Sequence, residues 1–477
     1  MTATADLASR LAAAGQDHLL RFEAELTDTQ REALHTQLGS IDFGRVPGWV
    51  ENYVTTKPED AMPSHLEPAP YYPADPASAV RRWDRSNARA AGEALIRAGK
   101  VAAFVVAGGQ GSRLGYDGPK GCYPAGAITG APLFKFFADS LLGVQDRYGV
   151  VVPWYIMTSP LNHPATVAFF EEHKHFGLDP ESVMFFSQGV MPSFDAETGK
   201  VLLAEKHRVA TNPDGHGGSI TALHTGGALE DMAKRGVDHL SYFQVDNPMV
   251  RVIDPIFIGL HASAEDSSGE ASSKMLPKAR PEEKVGVFVR ADDRLRVIEY
   301  SDLPSSYANE RTDDGRLRFL SGSPAIHMFS RSFLERITSE PDFELPFHRA
   351  DKKVPHVDLE TGDLIEPSSP NGVKLEKFVF DALPLATESI VMETAREEEF
   401  GPIKNAEGID SAVSSRELQT ARAARWLAAA GVSVPLDGDG KPDCVIELSP
   451  RTASEAQDLK GASGLPSEIK AGERVAL

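Results

Sequence analysis

The stretch VVAGGQGSRLGYDGPKG, Val105 to Gly121, holds the residues of this chain whose types and spacing best suit chemistry. An apolar run delivers the backbone into Gly108, Gly109 and Gly111, whose missing side chains let main-chain N–H groups come close to a nucleobase or a phosphate. Arg113 and Lys120 follow in the same loop. A guanidinium binds phosphate oxygens two at a time and an ammonium supplies a mobile point charge, so the pair suits a polyphosphate better than a proton shuttle. Two common glycine loops are disfavoured. Gly109, Gly111 and Gly115 give GxGxxxG instead of the dinucleotide-binding GxGxxG, and Lys120 is followed by Gly121 where a Walker loop needs Ser or Thr.

A second chemical candidate is Asp246, placed directly after an apolar run ending at Val245. An oxygen ligand at a strand's carboxyl end can hold Mg²⁺ beside bound phosphates. No histidine cluster or cysteine pair offers a rival transition-metal site, and Cys122 and Cys444, the only two cysteines, cannot build a disulfide framework or a thiolate zinc site.

The elements that must position these residues read as an α/β pattern. Val101–Ala107, Val152–Met157, Val183–Phe186 and Tyr242–Val245 are short apolar runs of the kind that form buried parallel strands, and helical patterns at Leu133–Tyr148, His163–His173 and Thr221–Arg235 lie between them. Strand and helix therefore alternate as in a doubly wound, mainly parallel sheet, where ligands bind beyond the carboxyl ends of the strands. Val285–Tyr300 and Leu317–Phe329 carry shorter strand-like runs, which suggests a partly antiparallel extension. Ahead of this body, Leu7, Leu11, Leu19, Phe22 and Leu26 share helical spacing, with Thr29 and Glu32 at capping-box spacing before Leu34 and Leu38. Pro47 to Pro76 reads as an extended linker. The expected division is an N-terminal helical region and linker over 1–89, a central domain over 90–391, and a small C-terminal domain over 392–477 containing an amphipathic helix at Arg416–Ala429.

The 477 residues include 49 Lys plus Arg against 69 Asp plus Glu, a formal charge of -20 that repels nucleic acid and anionic membranes, so any phosphate site must be a local feature. No basic, apolar leader opens the sequence and no run approaches the ~20 apolar residues of a membrane span, which predicts a soluble cytoplasmic protein.

Several ordered motifs beyond the glycine loop resemble one family. PWYIMTS (Pro153–Ser159), FFSQG (Phe185–Gly189), PDGHGG (Pro213–Gly218), VDN (Val245–Asn247), EYSD (Glu299–Asp302), NGVKLEKFVFD (Asn371–Asp381) and EEFGPIKNA (Glu398–Ala406) look like those of the eukaryotic-type UDP-N-acetylhexosamine pyrophosphorylases, within the wider UTP-sugar-1-phosphate uridylyltransferases. The resemblance implies a Rossmann-like central domain flanked by smaller N- and C-terminal parts. It implies that Gly108, Gly109 and Gly111 with Gln188, Gly215 and His216 meet the nucleotide, Gln188 by its side-chain amide, and that Asp246 holds Mg²⁺ or Mn²⁺. Arg113, Lys120 and Lys374 become the candidate catalytic cations, Lys404 a further phosphate contact and Lys377 a solvated neighbour. Glu299, Asp302, Gly322 and Ser323 fall in the sugar-side region. Here the chain departs from the family pattern: Asp302 stands where Glu is frequent, Ser323 where Asn is expected, and His216 where Asn is common.

The implied reaction joins UTP to a hexose 1-phosphate, giving a UDP-sugar and pyrophosphate, with N-acetylglucosamine 1-phosphate the expected acceptor and glucose 1-phosphate the alternative. Outside that class stand a catalytically silent nucleotide-sugar sensor and a dinucleotide oxidoreductase. The enzyme is expected as a monomer or homodimer, without nucleic-acid or membrane partners.

Overall fold

The computed structural model describes residues 2–57, 63, 65–340 and 343–477, the side chains of residues 2–5 excepted. The chain divides into two compact units, and the division does not follow linear order. One is built from Met1–Met62, Gln188–Ser219 and Glu344–Asp381; the other from Pro63–Ser187, Ile220–Phe343 and Ala382–Leu477. They are called here the minor and the major unit.

The major unit is organised by an eleven-stranded mixed sheet. Val101–Val106 is third from one edge, parallel to His239–Gln244 on one side and to Trp154–Thr158 on the other, with Val183–Ser187 parallel at the edge. The first of these strands, VAAFVV, is buried at five of its six positions, which explains its apolar character on both faces. His327–Ser330 then runs antiparallel between His239–Gln244 and Ala271–Pro277, and Val287–Ala291 with Arg294–Ile298 adds the expected antiparallel extension.

Helix Leu133–Tyr148 begins and ends as its sequence pattern indicates, closed by Gly149 at φ 67°. The single helix expected over Thr221–Arg235 is instead two, Gly218–Thr225 and Ala228–Arg235, parted at Gly226 and Gly227. Gly227 takes φ 76°, and a Cβ on Gly226 would stand 2.8 Å from the Phe186 side chain, so the break is required by both conformation and packing. Helix Arg85–Arg97, N-capped by the Asp84 carboxylate, crosses Pro255–Ser263 at a glycine contact: a Cβ on Gly92 would lie 1.8 Å from the Pro255 carbonyl oxygen. This helix runs through position 90, where a boundary was expected.

The minor unit answers what the N-terminal helices pack on. Leu7, Leu11, Leu19, Phe22, Leu26, Leu34 and Leu38 share one core with Phe194, Val201, Leu203, Val209, Phe347, Val373 and Leu375. Those partners come from a three-stranded sheet, Phe347–Lys352, Gly372–Lys377 and Phe194–Asp195, and from short hairpins. The capping box is Thr27 with Gln30, not Thr29 with Glu32. The helix begins at Asp28, so Thr29 already lies inside its first turn. The first part of the expected linker coils into Val46–Trp49 and Val50–Thr55, while residues 58–62 and 64 lie outside the described residues. Beyond them, Glu67–Pro68 pairs with Val287–Ala291, and Tyr72 N–H donates to the Val391 carbonyl at 2.8 Å, so this part is extended and laid on the sheet. Near the C-terminus, helix Ala412–Ala429 and the parallel pair Val445–Glu447 and Arg474–Ala476 enclose a small core around Trp426, Leu427, Ile446 and Ile469.

Candidate functional site

In the major unit, the glycine loop leaves the carboxyl end of Val101–Val106 next to the carboxyl end of His239–Gln244, since Gln244 is in register with Val106. Adjacent parallel strand ends are where open α/β sheets receive ligands. The loop doubles back on itself: Gly111 N–H donates to the Gly118 carbonyl at 2.9 Å and Lys120 N–H to the Gly109 carbonyl at 3.1 Å. The carbonyls at its start are held by two buried side chains that sequence reasoning assigned no role. Ser159 Oγ donates to the Gly108 carbonyl at 2.8 Å, and Asn162 Nδ2 donates to those of Ala107 and Gly109 at 2.9 and 3.1 Å. The available signal was the polar S-x-x-N immediately after an apolar strand, a spacing at which Asn162 Oδ1 also receives Ser159 N–H. With the carbonyls so tied, the N–H groups of Gly108 and Gly109 have no acceptor among the described residues.

The glycines of this loop serve different ends. A Cβ on Gly109 would meet nothing within 4 Å, whereas one on Gly111 would stand 2.8 Å from the Tyr116 ring. Gly109 leaves room for a ligand, while Gly111 lets the loop fold onto its own tyrosine. Arg113 is exposed in the turn Ser112–Leu114 and makes no ion pair with a described residue. Lys120 reaches Asp246, its Nζ 3.6 Å from Oδ2, with both side chains mostly buried.

Asp246 is further fixed by the EEFGPIKNA segment. Its carbonyl accepts Ile403 N–H at 2.8 Å, Asn247 Nδ2 donates to the Glu399 carbonyl at 2.7 Å, and Asn247 Oδ1 accepts Gly401 N–H at 3.2 Å. The fully buried Lys274 anchors Glu399 from beneath, at 2.7 Å from Oε2, and holds Asp254 at the same distance. Lys404, next to Ile403, lies over the Phe400 ring, its Nζ 5.9 Å from the centroid. Asp410 is a further carboxylate that sequence reasoning missed: its pKa is raised, first by burial and also by the Asp246 charge, against the pull of Lys404. No group of three or more His, Cys, Asp or Glu side chains that could hold a metal occurs among the described residues. Mg²⁺ does not need one, because it commonly takes one or two protein carboxylates and completes its shell with water and substrate phosphate. Asp246 fits that donor set.

In the antiparallel extension, Gly286 brings three of the four sugar-side candidates together. Its carbonyl accepts Ser323 N–H at 2.8 Å, Gly322 pairs with Val287 in the next strand, and a Cβ on Gly286 would come within 3.2 Å of Glu299 Oε1. Asp302 sits one turn on, its N–H donating to the Glu299 carbonyl at 3.0 Å and its Oδ1 accepting from Ser301 at 2.9 Å. Lys278, buried beside Gly322 with its pKa lowered by desolvation, was not singled out from the sequence.

The minor unit carries the remaining candidates. Gln188 and Asp214 are buried together, Gln188 Nε2 donating to Asp214 Oδ1 at 3.1 Å. Burial pushes the Asp214 carboxyl up to about 6, against the opposing pull of the Lys377 charge and the Gln188 bond. Gly215, at φ 84°, and Gly217 press against the end of strand Gly372–Lys377, with added Cβ atoms 2.3 Å from the Lys377 carbonyl oxygen and 2.6 Å from Phe378 N. His216 stacks on Phe378 with ring centroids 5.1 Å apart, and its Nδ1 accepts Val379 N–H at 3.1 Å, which leaves the ring proton of a neutral imidazole on Nε2. Lys374 is half-buried and makes no ion pair with a described residue. Lys377 is not a solvated neighbour. Strand alternation turns it to the face of Val373 and Leu375, where its Nζ pairs with Glu344 at 3.0 Å.

A glycine loop and an acidic strand end at the carboxyl edge of a mixed sheet define an α/β nucleotidyltransferase fold. The chain belongs to the UDPGP family, described as UTP–glucose-1-phosphate uridylyltransferase, which matches residues 67–423. It is 37% identical over 496 residues to the human UDP-N-acetylhexosamine pyrophosphorylase-like protein 1, covering 96% of this chain and 95% of that one. It is 35% identical over 477 residues to UDP-N-acetylglucosamine diphosphorylase 2 of Arabidopsis thaliana, covering 95% and 90%. Among solved structures, the uridine diphosphate N-acetylglucosamine pyrophosphorylase of Trypanosoma brucei superposes with a TM-score of 0.80 at 27% identity, covering 98% of each chain.

Proposed function

We propose that the chain transfers the uridylyl group of UTP to N-acetylglucosamine 1-phosphate, releasing pyrophosphate and UDP-N-acetylglucosamine. The observation that carries this reading is the pairing of Lys120, from the glycine loop, with Asp246 beside two adjacent strand ends, in a chain similar over almost its whole length to a UDP-N-acetylglucosamine diphosphorylase and a uridine diphosphate N-acetylglucosamine pyrophosphorylase. An oxygen of the sugar 1-phosphate attacks the α-phosphorus of UTP, a new P–O bond forms, and the bond to the β-bridging oxygen breaks as pyrophosphate leaves. The nucleophile is already anionic, so no base is needed. What the protein must supply is alignment of two polyanions and relief of the charge moving onto the leaving oxygen.

Arg113, Lys120 and Lys374 are assigned to that work, with Lys404 as a further phosphate contact. Gly108, Gly109, Gln188 and Gly215 are assigned to the nucleotide, with Gly111 and His216 shaping their loops. Glu299, Asp302, Gly322 and Ser323 are assigned to the sugar. Asp246 would hold Mg²⁺ or Mn²⁺, which supplies Lewis-acid neutralisation of phosphate charge when bound. No helix among the described residues is long and apolar enough to cross a membrane. The charge of -20 disfavours binding to nucleic acid or an anionic membrane, and the chain is read as a cytoplasmic monomer or homodimer.

The test is identification of the product by mass spectrometry after incubation with UTP, Mg²⁺ and either N-acetylglucosamine 1-phosphate or glucose 1-phosphate. UDP-N-acetylglucosamine formed faster than UDP-glucose is the expected result. UDP-glucose formed faster would overturn the sugar assignment, and no UDP-sugar from either acceptor would overturn the activity.

A further inference from the structure

We propose that Asp214 is a positioning residue that fixes the rotation of the Gln188 amide, and thereby sets preference for uridine over cytidine nucleotides. This rests on the reading of Gln188 as the base-recognising amide. The physical case needs only the minor unit. Gln188 and Asp214 are 5% and 6% exposed, so neither exchanges partners freely with water. An ionised carboxylate only accepts hydrogen bonds, so the face of the amide turned to Asp214 must be the NH₂, as the 3.1 Å contact shows. The amide oxygen is then turned away from Asp214, beside the second N–H of the same NH₂ group.

That order of acceptor and donor matches uracil, whose N3–H donates beside a carbonyl oxygen. Cytosine presents the reverse, an N3 acceptor beside an amino donor. A half-turn of the Gln188 amide would therefore exchange one base for the other with no change of shape, and only a neighbour that rejects the amide oxygen prevents it. Asp214 does this because it is itself immobile. Its carbonyl accepts Lys377 N–H at 2.8 Å, and its N–H donates to the Gly189 carbonyl at 3.3 Å. Its carboxylate oxygens fill the space that side chains at Gly189 and Gly218 would need, 2.8 and 2.1 Å from their Cβ positions. The glycines that flank Asp214 are accounted for by this packing. At about pH 8 the carboxyl, pushed up only to about 6, is ionised and accepts only.

The experiment measures kcat and KM for UTP and for CTP at about pH 8 on the full chain, as wild type, Asp214→Asn, Gln188→Ala and the double variant. An asparagine presents either oxygen or NH₂ to Gln188 and frees the half-turn. The UTP-over-CTP ratio of kcat/KM should fall at least ~10-fold in Asp214→Asn, mainly through KM, because a buried donor–acceptor mismatch is what a polar site rejects. In the Gln188→Ala background the same change should leave the ratio where Gln188→Ala alone put it. Equal losses for both nucleotides in Asp214→Asn, or a further fall in the double variant, would overturn the positioning role. An unchanged ratio in Gln188→Ala would instead overturn the assignment of Gln188. Should Asp214→Asn fail to fold, Asp214→Ser removes the same carboxylate and is read the same way.

Discussion

The two glycine loops, Gly108–Gly121 in the major unit and Gly215–Gly218 in the minor unit, look alike in sequence and do different things. In the first, side chains of Ser159 and Asn162 hold the carbonyls, main-chain N–H groups are left available, and a cation and an anion meet at the strand ends. In the second, the glycines let the loop press on Lys377 and Phe378, and the polar chemistry lies in the buried Gln188–Asp214 pair. One loop is arranged to manage charge and the other to fix a hydrogen-bonding pattern. A glycine motif thus says that backbone comes close to something, and only the packing says to what.

The contrast can be broken first at the charged loop. Lys120→Ala should lower kcat by on the order of 10²- to 10³-fold, the usual cost of removing one preorganised charge-stabilising group, while the thermal-unfolding midpoint stays near that of the wild type. Near-normal turnover would remove Lys120 from the chemistry. Within the same loop, Gly109→Ala should fold normally and lose activity, because its Cβ meets open space. Gly111→Ala should lose stability by about 1–3 kcal/mol through overpacking against Tyr116. Equal midpoints for the two variants would show that Tyr116 gives way and that this distinction is false.

The smallest effect concerns the second region. Asp214 has its carboxyl raised to about 6 in the folded chain from an ordinary 3.8. Between those values the folded protein holds a proton that the unfolded chain has released, so this group's stabilisation is present at low pH and lost as pH rises through about 6. Asp214→Asn removes that loss. Relative to wild type it should be more stable at pH 8 than at pH 5, by about 1 kcal/mol. A difference that does not change with pH would mean that Asp214 keeps an ordinary pKa.

The parallel strands and helix Leu133–Tyr148 were legible because apolar runs and helical periodicity are local properties. The break at Gly226–Gly227 was not, since it depends on Phe186 lying against the helix. The minor unit escaped linear reading for the same reason: its core is shared among three segments far apart in sequence, and no local pattern in Leu7 or Leu38 points to Val373. At the site, charged and glycine residues in recognisable motifs were found, and Lys120 and Asp246 proved to be neighbours. Ser159, Asn162, Asp214 and Asp410 were passed over because small polar residues are ordinary in loops, and only their bonds to backbone or to other site residues distinguish them. Lys377 was misread because its charge suggested solvent, while its strand phase, shared with Val373 and Leu375, pointed inward.

Asp246, at the strand end beside the glycine loop, is the residue proposed to hold Mg²⁺ for the transfer. The most direct test of that role is a Mg²⁺ titration of pyrophosphate release from UTP and N-acetylglucosamine 1-phosphate, comparing wild type with Asp246→Asn. The expected result is no release in EDTA, and for the variant a half-saturating Mg²⁺ concentration raised by ~10-fold or more with reduced maximal rate. A variant with the wild-type Mg²⁺ dependence, or a wild type that turns over in EDTA, would contradict that role.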